Sequence, residues 1–228
     1  MKFKSLNAKR STLNAGYVAR YTGPREKIER RLGTKLFLKG ERSFSPKSAT
    51  VKRMYPPGVH GKKFQRRMSE FGQQLQSKQK IRQTYRMMEK QFKNWVKEVL
   101  QSKQETGAAL IKKLENRLDN VVYRSGIAQS RDQARQLVGH GHILVNDRKV
   151  NIPSYQVKTN DTLKIREGSK KSPYFSTSVQ QWIKKYEPPH WLTVDKDALI
   201  VKITGIPTLQ DSGLEIKDIR SLIEFYSR

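Results

Sequence analysis

The sequence predicts an α+β protein. A mainly helical N-terminal domain is followed by an inserted small α+β module, and a C-terminal segment packs back on the helices. Helical apolar stripes between residues 73 and 125 predict the helical domain. A capped helix and β-rich runs between residues 130 and 166 predict the module. An amphipathic stretch over 216–226 predicts a closing helix, whose apolar face needs a partner within the fold.

The N-terminal domain opens with a basic segment, residues 21–72, that glycine and proline interrupt repeatedly. We expect short helical turns and ordered loops there, stabilised by later helices and by a partner. Alternating spacings of four and three then predict a helix over 73–100, too short to favour a coiled coil. Its apolar stripe is formed by Ile81, Tyr85, Met88, Phe92, Trp95 and Val99. A basic stripe on another face fits either solvent or phosphate contact: Lys78, Arg82, Arg86, Lys90, Lys93 and Lys97.

The next predicted helix begins near Thr106-Gly107 and ends at Ser125-Gly126. Its buried face is formed by Leu110, Leu114, Leu118, Val121 and Val122. Ser130, with Gln133 three residues later, has the spacing of a capping box and predicts the start of another helix.

Two β-rich runs, 142–145 and 148–152, flank Asn146-Asp147 and predict a hairpin. Alternation over 162–166 predicts a third strand. The remaining predicted elements are a loop over 168–173, a short helix over 179–186, strands over 191–194 and 199–203, and the closing helix.

Charge narrows the function class. The chain has 228 residues, with 47 Lys+Arg against 20 Asp+Glu and a formal net charge of +27. Residues 1–100 hold 26 basic and 6 acidic residues (net +20), residues 101–180 hold 14 and 7 (net +7), and residues 181–228 hold 7 and 7 (net zero). Such a graded charge predicts a polyanion around the N-terminal part and solvent or protein around the C-terminal part.

Several classes of site are excluded. The chain has no cysteine, which rules out disulfides, cysteine nucleophiles and thiolate zinc sites. It has no nucleotide-binding glycine loop, no Gly-x-Ser-x-Gly and no His-Glu-x-x-His motif. It also lacks an apolar run of the roughly 20 residues that a membrane helix needs. Residues 1–20 carry no acid, and we interpret them as a basic arm rather than a transit peptide.

Residues 117–157, RLDNVVYRSGIAQSRDQARQLVGHGHILVNDRKVNIPSYQV, closely resemble the RNA-binding module named after small-subunit ribosomal protein S-four. The flanking segments RYTGP (20–24), YPPGVHG (55–61), SEFGQQL (69–75) and LIEFYS (222–227) resemble that protein's own family, and the resemblance runs from about residue 18 to the end. It predicts an extension over 1–17, a helical rRNA-binding domain over 18–115, the module over 116–177, and C-terminal strands with a closing helix over 178–228.

The resemblance implies a non-enzymatic structural constituent of the small ribosomal subunit. Members of this family bind small-subunit rRNA directly and early and nucleate assembly of the subunit body. They contact the S-five protein, influence translational accuracy and lie beside the channel through which mRNA enters. No membrane and no small-molecule substrate is implied. The expected location is a bacterial ribosome in the cytoplasm, with an organellar ribosome as the alternative.

Many relatives hold zinc with four cysteines near the N-terminus. The matching positions here are Glu26, Glu29, Ser43 and Ser48. Two carboxylates and two hydroxyls make a poor tetrahedral zinc site. We therefore expect no zinc and no other cofactor, and we expect packing and RNA to stabilise these loops.

The candidate rRNA-binding residues are cations, tyrosines and histidines, because guanidinium and ammonium groups bind phosphate and the other two add hydrogen bonds and ring faces. No catalytic or metal-ligating residue is predicted. For His140 and His142, phosphate contact or hydrogen bonding is favoured over metal binding. The candidate set is Arg20, Tyr21, Arg30, Arg31, Lys35, Lys39, Arg42, Arg53, Tyr55, His60, Lys62, Lys63, Arg66, Arg67, Lys78, Lys80, Arg82, Arg86, Arg117, Arg124, Arg131, Arg135, His140, His142, Arg148 and Lys149.

Two other functions compete with this one. An RNA-modifying enzyme can carry the same module, but it needs a separate catalytic domain, and residues 181–228 are too few to form one. A nonspecific nucleic-acid chaperone would share the charge, but it would protect RNA diffusely rather than at one compact junction.

Overall fold

The computed structural model describes residues 21–64, 67–102 and 105–227. The predicted extension over 1–17 and the candidates Arg20 and Arg66 lie outside these ranges. Within them the chain is α+β, as predicted, with two main hydrophobic cores. One core lies among N-terminal helices and the other beneath a five-stranded sheet.

The N-terminal part is helical, as the apolar spacing predicts. Its helices are α1 (Arg25–Leu32), α2 (Ala49–Lys52), α3 (Glu70–Thr84), α4 (Glu89–Leu100) and α5 (Thr106–Glu115), with a 3-10 turn at Gly40–Ser43 between α1 and α2. Ser69 caps α3 by accepting a hydrogen bond from the Gly72 amide. Ile81, Phe92 and Leu114 are fully buried in the core that α3, α4 and α5 share.

The single helix predicted over 73–100 is wrong, since the structure has α3 and α4 with a break between them. Arg86 sits at the break with a φ of 53°, a conformation that a helix cannot continue through. Its side chain is buried against partners outside the helix. The break changes which side chains face the core: Met87 is 2% exposed, whereas Met88, the predicted core residue, is 42% exposed.

The helix predicted from Thr106 to Ser125 is also divided, into α5 and α6 (Leu118–Arg124). Arg117 is extended at the break and forms an isolated antiparallel bridge with Gln156. The backbone of residues 153–157 pairs with both sides of the break, because the Leu118 amide donates to the Tyr155 carbonyl over 2.9 Å and the Val157 amide to the Asn116 carbonyl over 2.9 Å. A segment distant in sequence therefore ends one helix and starts the next.

The module contains α6, α7 (Arg131–Gly139), β1 (Ile143–Val145), β2 (Arg148–Lys149) and β3 (Thr162–Ile165). The predicted hairpin is confirmed: Asn146 and Asp147 have φ values of 48° and 63°, the pair of left-handed residues that a type I′ turn requires. Ser130 caps α7 by accepting from the Gln133 amide, but the Gln133 side chain accepts from Gln129 rather than from Ser130. The predicted capping box is thus displaced by one residue.

The C-terminal segment divides between the two cores. Its elements are α8 (Glu167–Lys170), a π-helical stretch (Tyr174–Ser178), α9 (Val179–Ile183), β4 (Leu192–Asp195), β5 (Ile200–Ile203), α10 (Leu209–Ser212) and α11 (Ile216–Ser227). The segment predicted as a loop over 168–173 therefore overlaps a helical turn. The strands pair in the order β2-β1-β3-β5-β4, all antiparallel, so β4 and β5 extend the sheet of the module.

The closing helix and the short α10 before it pack back on the N-terminal helices, with Leu209 of α10 against their core. Ile219 and Leu222 of α11 are buried in the core of α3, α4 and α5. Polar contacts also join α3 and α11: the Ser77 hydroxyl donates to Asp218 over 2.9 Å, and the Gln74 side-chain amide donates to Glu224 over 3.2 Å. The first and last described helices of this core are therefore held together across most of the chain.

Candidate nucleic-acid interface

Many of the predicted cations between residues 31 and 67 are exposed. The structure places Arg31, Lys35, Arg42, Arg53, His60, Lys62, Lys63 and Arg67 at the surface, with Lys39 half-buried and Tyr21 exposed beside them. Fixed positive charges at a surface attract phosphate, and their mutual repulsion is relieved only when counterions or a polyanion bind.

Arg30 organises the loop that carries several of these cations. Its guanidinium donates to the Arg53 carbonyl over 3.0 Å and to the Tyr55 carbonyl over 2.9 Å. The same guanidinium lies 5.0 Å from the centre of the Tyr55 ring, and the Lys62 ammonium lies 5.5 Å from it. Arg30 and Tyr55 therefore fix the loop, while Arg53, Lys62 and Lys63 remain directed to its surface.

Large apolar side chains are exposed among these cations. Met54, Val59 and Phe64 are 82%, 96% and 94% exposed, respectively. Apolar groups left in water at this density mark a surface that a partner covers. Together with the charges, they describe an interface that is both cationic and able to stack against bases or sugars.

The module presents a second cationic edge on its hairpin. Arg148 and Lys149 are exposed on β2. The side chain of Lys149 passes close over Gly141, where a Cβ would lie 2.3 Å from the Lys149 Cε. Gly141 has a φ of 70°, so it supplies both the turn after α7 and the space for this lysine. The lysine is thereby held against the turn that contains His140 and His142.

The pKa of His142 is lowered by its surroundings. Its Nδ1 lies 2.9 Å from the Ser169 hydroxyl. Partial burial lowers the pKa of His142, and the neighbouring His140 and Arg166 lower it further by charge repulsion. Arg166, which sequence reasoning left out of the candidate set, is exposed beside the hairpin. Arg166 is the last residue of the strand predicted over 162–166, and a cation at the end of a strand that pairs with the predicted hairpin was the signal that could have found it.

Arg131 and Arg135 of α7 are held mainly by the protein. The Arg131 guanidinium lies between two rings, 4.9 Å from the centre of Tyr85 and 4.5 Å from that of Tyr123, and donates to Asn120 over 2.8 Å. Arg135 lies 3.5 Å from Asp119 and keeps 19% side-chain exposure. Their replacement would change folding as well as RNA affinity, so the hairpin cations offer the cleaner test.

Arg86 joins the N-terminal helices to the module instead of facing RNA. It is 7% exposed, and its Nε donates to Asp132 over 2.8 Å. Arg25 binds the other oxygen of the same carboxylate over 2.6 Å. Because the Arg86 Nη2 also donates to the Tyr21 carbonyl, one acidic residue at the start of α7 anchors three parts of the N-terminal region.

Arg117 and Arg124 are likewise structural. Arg117 is 0% exposed and donates to Asp119 through its Nε over 3.1 Å. Arg124 donates to the buried Glu115 over 3.0 Å and to the Ser212 carbonyl over 2.8 Å. Moving a paired buried guanidinium to an external phosphate would leave its carboxylate buried and unpaired, a costly exchange. We therefore omit these two residues and Arg86 from the proposed contact set.

Lys78, Lys80 and Arg82 of α3 face other protein groups. Lys78 is 7% exposed, forms an ion pair with Glu89 and lies 5.0 Å from the centre of the Phe225 ring. Lys80 binds Asp218 over 2.6 Å. Arg82 pairs with Glu89 over 3.4 Å. The basic stripe predicted on this helix is thus divided: these side chains stabilise the α3–α4–α11 packing, whereas Lys90, Lys93 and Lys97 are exposed on α4.

The four positions that match the zinc cysteines of relatives carry internal hydrogen bonds. Glu29 is 2% exposed, and its Oε1 accepts from the amides of Leu36 and Leu38 over 3.2 and 3.1 Å. Ser43 accepts from the Lys39 amide, Ser48 bonds to Thr50, and Glu26 pairs with Arg42. Within the described ranges no group of three or more histidines or carboxylates is placed to hold a metal ion. Hydrogen bonds thus stabilise loops that zinc would tie together.

We expect purified protein to contain no stoichiometric zinc and a metal chelator to leave its Tm unchanged. In contrast, Glu29→Ala should lower the free energy of unfolding by about 1–3 kcal/mol, because it strands two buried amides. Glu41→Ala, an exposed change in the same segment, is the control for denaturant unfolding. Zinc at one equivalent, or equal effects of the two substitutions, would contradict this account.

Comparison with known proteins gives the family to which the chain belongs. Residues 20–115 match the family model for the Ribosomal protein S4/S9 N-terminal domain, and residues 116–163 match the S4 domain. The chain is 47% identical over 211 residues to the small ribosomal subunit protein uS4 of Kosmotoga olearia, an alignment that covers 92% of this chain and 100% of the relative. It is 44% identical, with the same coverage, to the uS4 proteins of Geobacter sp. and Thermus thermophilus. With both domains matched in order and the relatives covered in full, the chain belongs to the S4 family of small-subunit ribosomal proteins.

Proposed function

We propose that this protein binds small-subunit rRNA directly and early, and thereby nucleates assembly of the body of the subunit. The observation that carries the proposal is the coincidence of exposed cations with exposed apolar side chains on the loop over 53–64. Arginine and lysine neutralise phosphates that crowd together where RNA helices join, which lowers the free-energy cost of forming the junction. Double-stranded RNA offers little base readout, so junction shape supplies the specificity.

The proposed contact set is the exposed or half-exposed part of the predicted one, without the half-exposed side chains that the protein's own carboxylates, carbonyls and rings hold in place. It comprises Tyr21, Arg31, Lys35, Lys39, Arg42, Arg53, His60, Lys62, Lys63, Arg67, His140, His142, Arg148 and Lys149, with Arg166 added. Arg30 and Tyr55 position the loop. Footprinting on full-length small-subunit rRNA tests the proposal: protection of one compact junction supports it, and diffuse protection would favour a nonspecific chaperone. The relatives are ribosomal proteins, not enzymes, which confirms the non-enzymatic prediction.

The hairpin gives a direct test of the module. Replacing Arg148 and Lys149 together by alanine should weaken affinity for small-subunit rRNA about tenfold at moderate salt, because two exposed phosphate contacts are lost. Unfolding should change little, since both residues are exposed on the edge strand β2. The charge-conserving pair Arg148→Lys and Lys149→Arg serves as the control and should keep most of the affinity. Equal loss in both double variants would show that charge at the hairpin is not what binds.

The S-five protein and the mRNA complete the proposed setting. The C-terminal region is near neutral, and the start of α3 and the end of α11 form an aromatic pair, with the rings of the exposed Phe71 and the half-buried Phe225 centred 5.6 Å apart. Phe71 is 53% and the nearby Met68 49% exposed. A partly apolar face suits a protein neighbour. We assign it to the S-five contact, and through that contact to decoding accuracy beside the channel that admits mRNA.

Phe71→Ala should weaken association with the S-five protein about tenfold, as expected for a truncated interface aromatic, and should alter stop-codon readthrough in cells. Its rRNA affinity should be unchanged. Phe64→Ala removes a ring that is 94% exposed on the basic loop and should leave S-five association intact. If both variants bind the S-five protein equally well, the assignment of this face is wrong.

The proposed location is a bacterial ribosome in the cytoplasm, an inference supported by the bacterial origin of the relatives named above. Among the described residues, no helix is long and apolar enough to cross a bilayer.

A further inference from the structure

An aromatic pocket lies between the N-terminal loop and the module, and none of the described residues that line it belongs to the proposed contact set. Its volume is about 270 Å³. One wall is the loop of Gly40, Glu41 and Phe44, and the other contains Tyr123, Trp182 and Tyr186. Phe44 is 74% exposed, so the pocket opens to solvent at this ring. The space is just below the roughly 300 Å³ at which drug-sized sites begin, which limits the occupant to one small group, and the aromatic lining favours a planar one.

Close contacts at two glycines fix the positions of the two walls. Gly40 has a φ of 56° and approaches Gln129 so closely that a Cβ would lie 3.0 Å from its backbone carbonyl oxygen. The Tyr186 ring lies directly against Gly126, where a Cβ would meet the ring at 2.5 Å. Both close approaches require glycine: the first places the loop against Gln129, and the second seats the Tyr186 ring within the other wall.

The polar ends of the aromatic side chains are already used. The Trp182 indole donates to the Gly126 carbonyl over 2.8 Å, and the Tyr186 hydroxyl donates to the Arg124 carbonyl over 3.1 Å. These rings therefore offer the pocket their π faces rather than hydrogen-bond donors. Phe44 has only a ring to offer, and it stacks on Phe37 with centroids 5.0 Å apart. The Glu41 carboxylate is the acidic group in the lining, and it can accept from an exocyclic amine.

The charge near the pocket indicates which kind of molecule carries this planar group. Exposed cations adjoin both walls in sequence: Arg42 beside Phe44, and Lys184 and Lys185 beside Tyr186. A planar group that stacks on aromatic rings while cations hold an attached anion has the chemistry of a nucleotide in unpaired RNA. We infer that the pocket receives one unstacked base of the rRNA, which deepens the proposed function and rests on it.

The test uses the full chain bound to full-length small-subunit rRNA. Short-wavelength ultraviolet irradiation, digestion and mass spectrometry should find a nucleotide adduct on Phe44, Tyr123, Trp182 or Tyr186. Phe44→Ala should weaken binding about tenfold, as loss of one stacking face does. Its salt dependence should match that of the unaltered protein, because no phosphate contact is removed. Phe44→Trp should restore the affinity. Phe71→Ala, which removes another exposed phenylalanine, is the control and should bind normally.

The outcomes separate the two proposals. If the unaltered chain protects one junction, but Phe44→Ala binds as tightly and the pocket carries no adduct, the pocket inference fails and the rRNA function stands. A weaker Phe44→Ala with a reduced salt slope would indicate a phosphate contact and would overturn base stacking. Cross-linking of the pocket to a neighbouring protein in assembled subunits would assign it to that protein. Diffuse protection by the unaltered chain would overturn both proposals.

Discussion

Replacing Glu115 by alanine should lower the free energy of unfolding by about 3–5 kcal/mol, the largest loss that we expect from a single change in this chain. Glu115 is 0% exposed. It accepts hydrogen bonds from the Tyr85 hydroxyl over 2.5 Å, the Asn120 amide over 2.8 Å, and Arg124 over 3.0 Å at both carboxylate oxygens. Its removal leaves a guanidinium charge and two polar groups buried without their main partner.

The size of this effect also reflects where Glu115 lies. It ends α5, whereas Tyr85 follows α3 and Arg124 ends α6, so one carboxylate ties the helical core to the first helix of the module. Burial raises the pKa of Tyr85 well above its ordinary value, and the Glu115 charge raises it further. Tyr85 therefore remains a hydrogen-bond donor at neutral pH, and the network stays complete.

Urea unfolding monitored by circular dichroism measures this loss. Glu98→Ala is the matched control, because Glu98 also pairs with a lysine, Lys113, but is 68% exposed. The control should cost less than about 1 kcal/mol, as exposed ion pairs do. Glu115→Gln keeps the shape and some of the hydrogen bonds, and it should fall between the two. Similar urea midpoints for Glu115→Ala and Glu98→Ala would show that Glu115 has no central structural role.

Local sequence signals were sufficient for part of the fold. The Asn146-Asp147 turn, the Ser130 cap and the closing helix each follow from residues within one turn or hairpin, and the structure confirms them. The two missed helix breaks have non-local causes. The Arg86 side chain binds Asp132, 46 residues away, at the point where the first helix ends. Residues 153–157 pair with the backbone around Arg117, where the second helix is interrupted. Spacing along one segment cannot report a contact with another.

The candidate site was predicted to a similar extent. Charge identified the basic segment, but it could not distinguish Lys78, buried on the Phe225 ring, from Lys62, exposed on the loop. The acidic partners that withdraw cations from the surface are Glu89, Glu115, Asp119, Asp132 and Asp218, and most of them come from a different element. A positive residue in a basic chain is available to RNA only where folding leaves its charged end exposed, and composition does not contain that information.

The loop over 53–64 should supply the largest measurable part of the salt dependence. Replacing Lys62 and Lys63 together by alanine should weaken binding to small-subunit rRNA roughly 10- to 50-fold at about 0.1 M salt. The reason is that fewer counterions are released from the RNA when two phosphate contacts are lost. The slope of log affinity against log salt should become shallower by about 2. Both lysines are exposed, so the folded state should be unaffected.

The matched control is the pair Lys217→Ala and Arg220→Ala on α11, which removes two exposed cations from the near-neutral C-terminal region. Its affinity and slope should stay close to those of the unaltered protein, although the net charge falls by the same amount in both double variants. Filter binding across a salt series separates the two. A uniform effect of both pairs would mean that net charge alone drives binding. A difference confined to Lys62 and Lys63 would instead locate phosphate on the loop that Arg30 and Tyr55 hold in place.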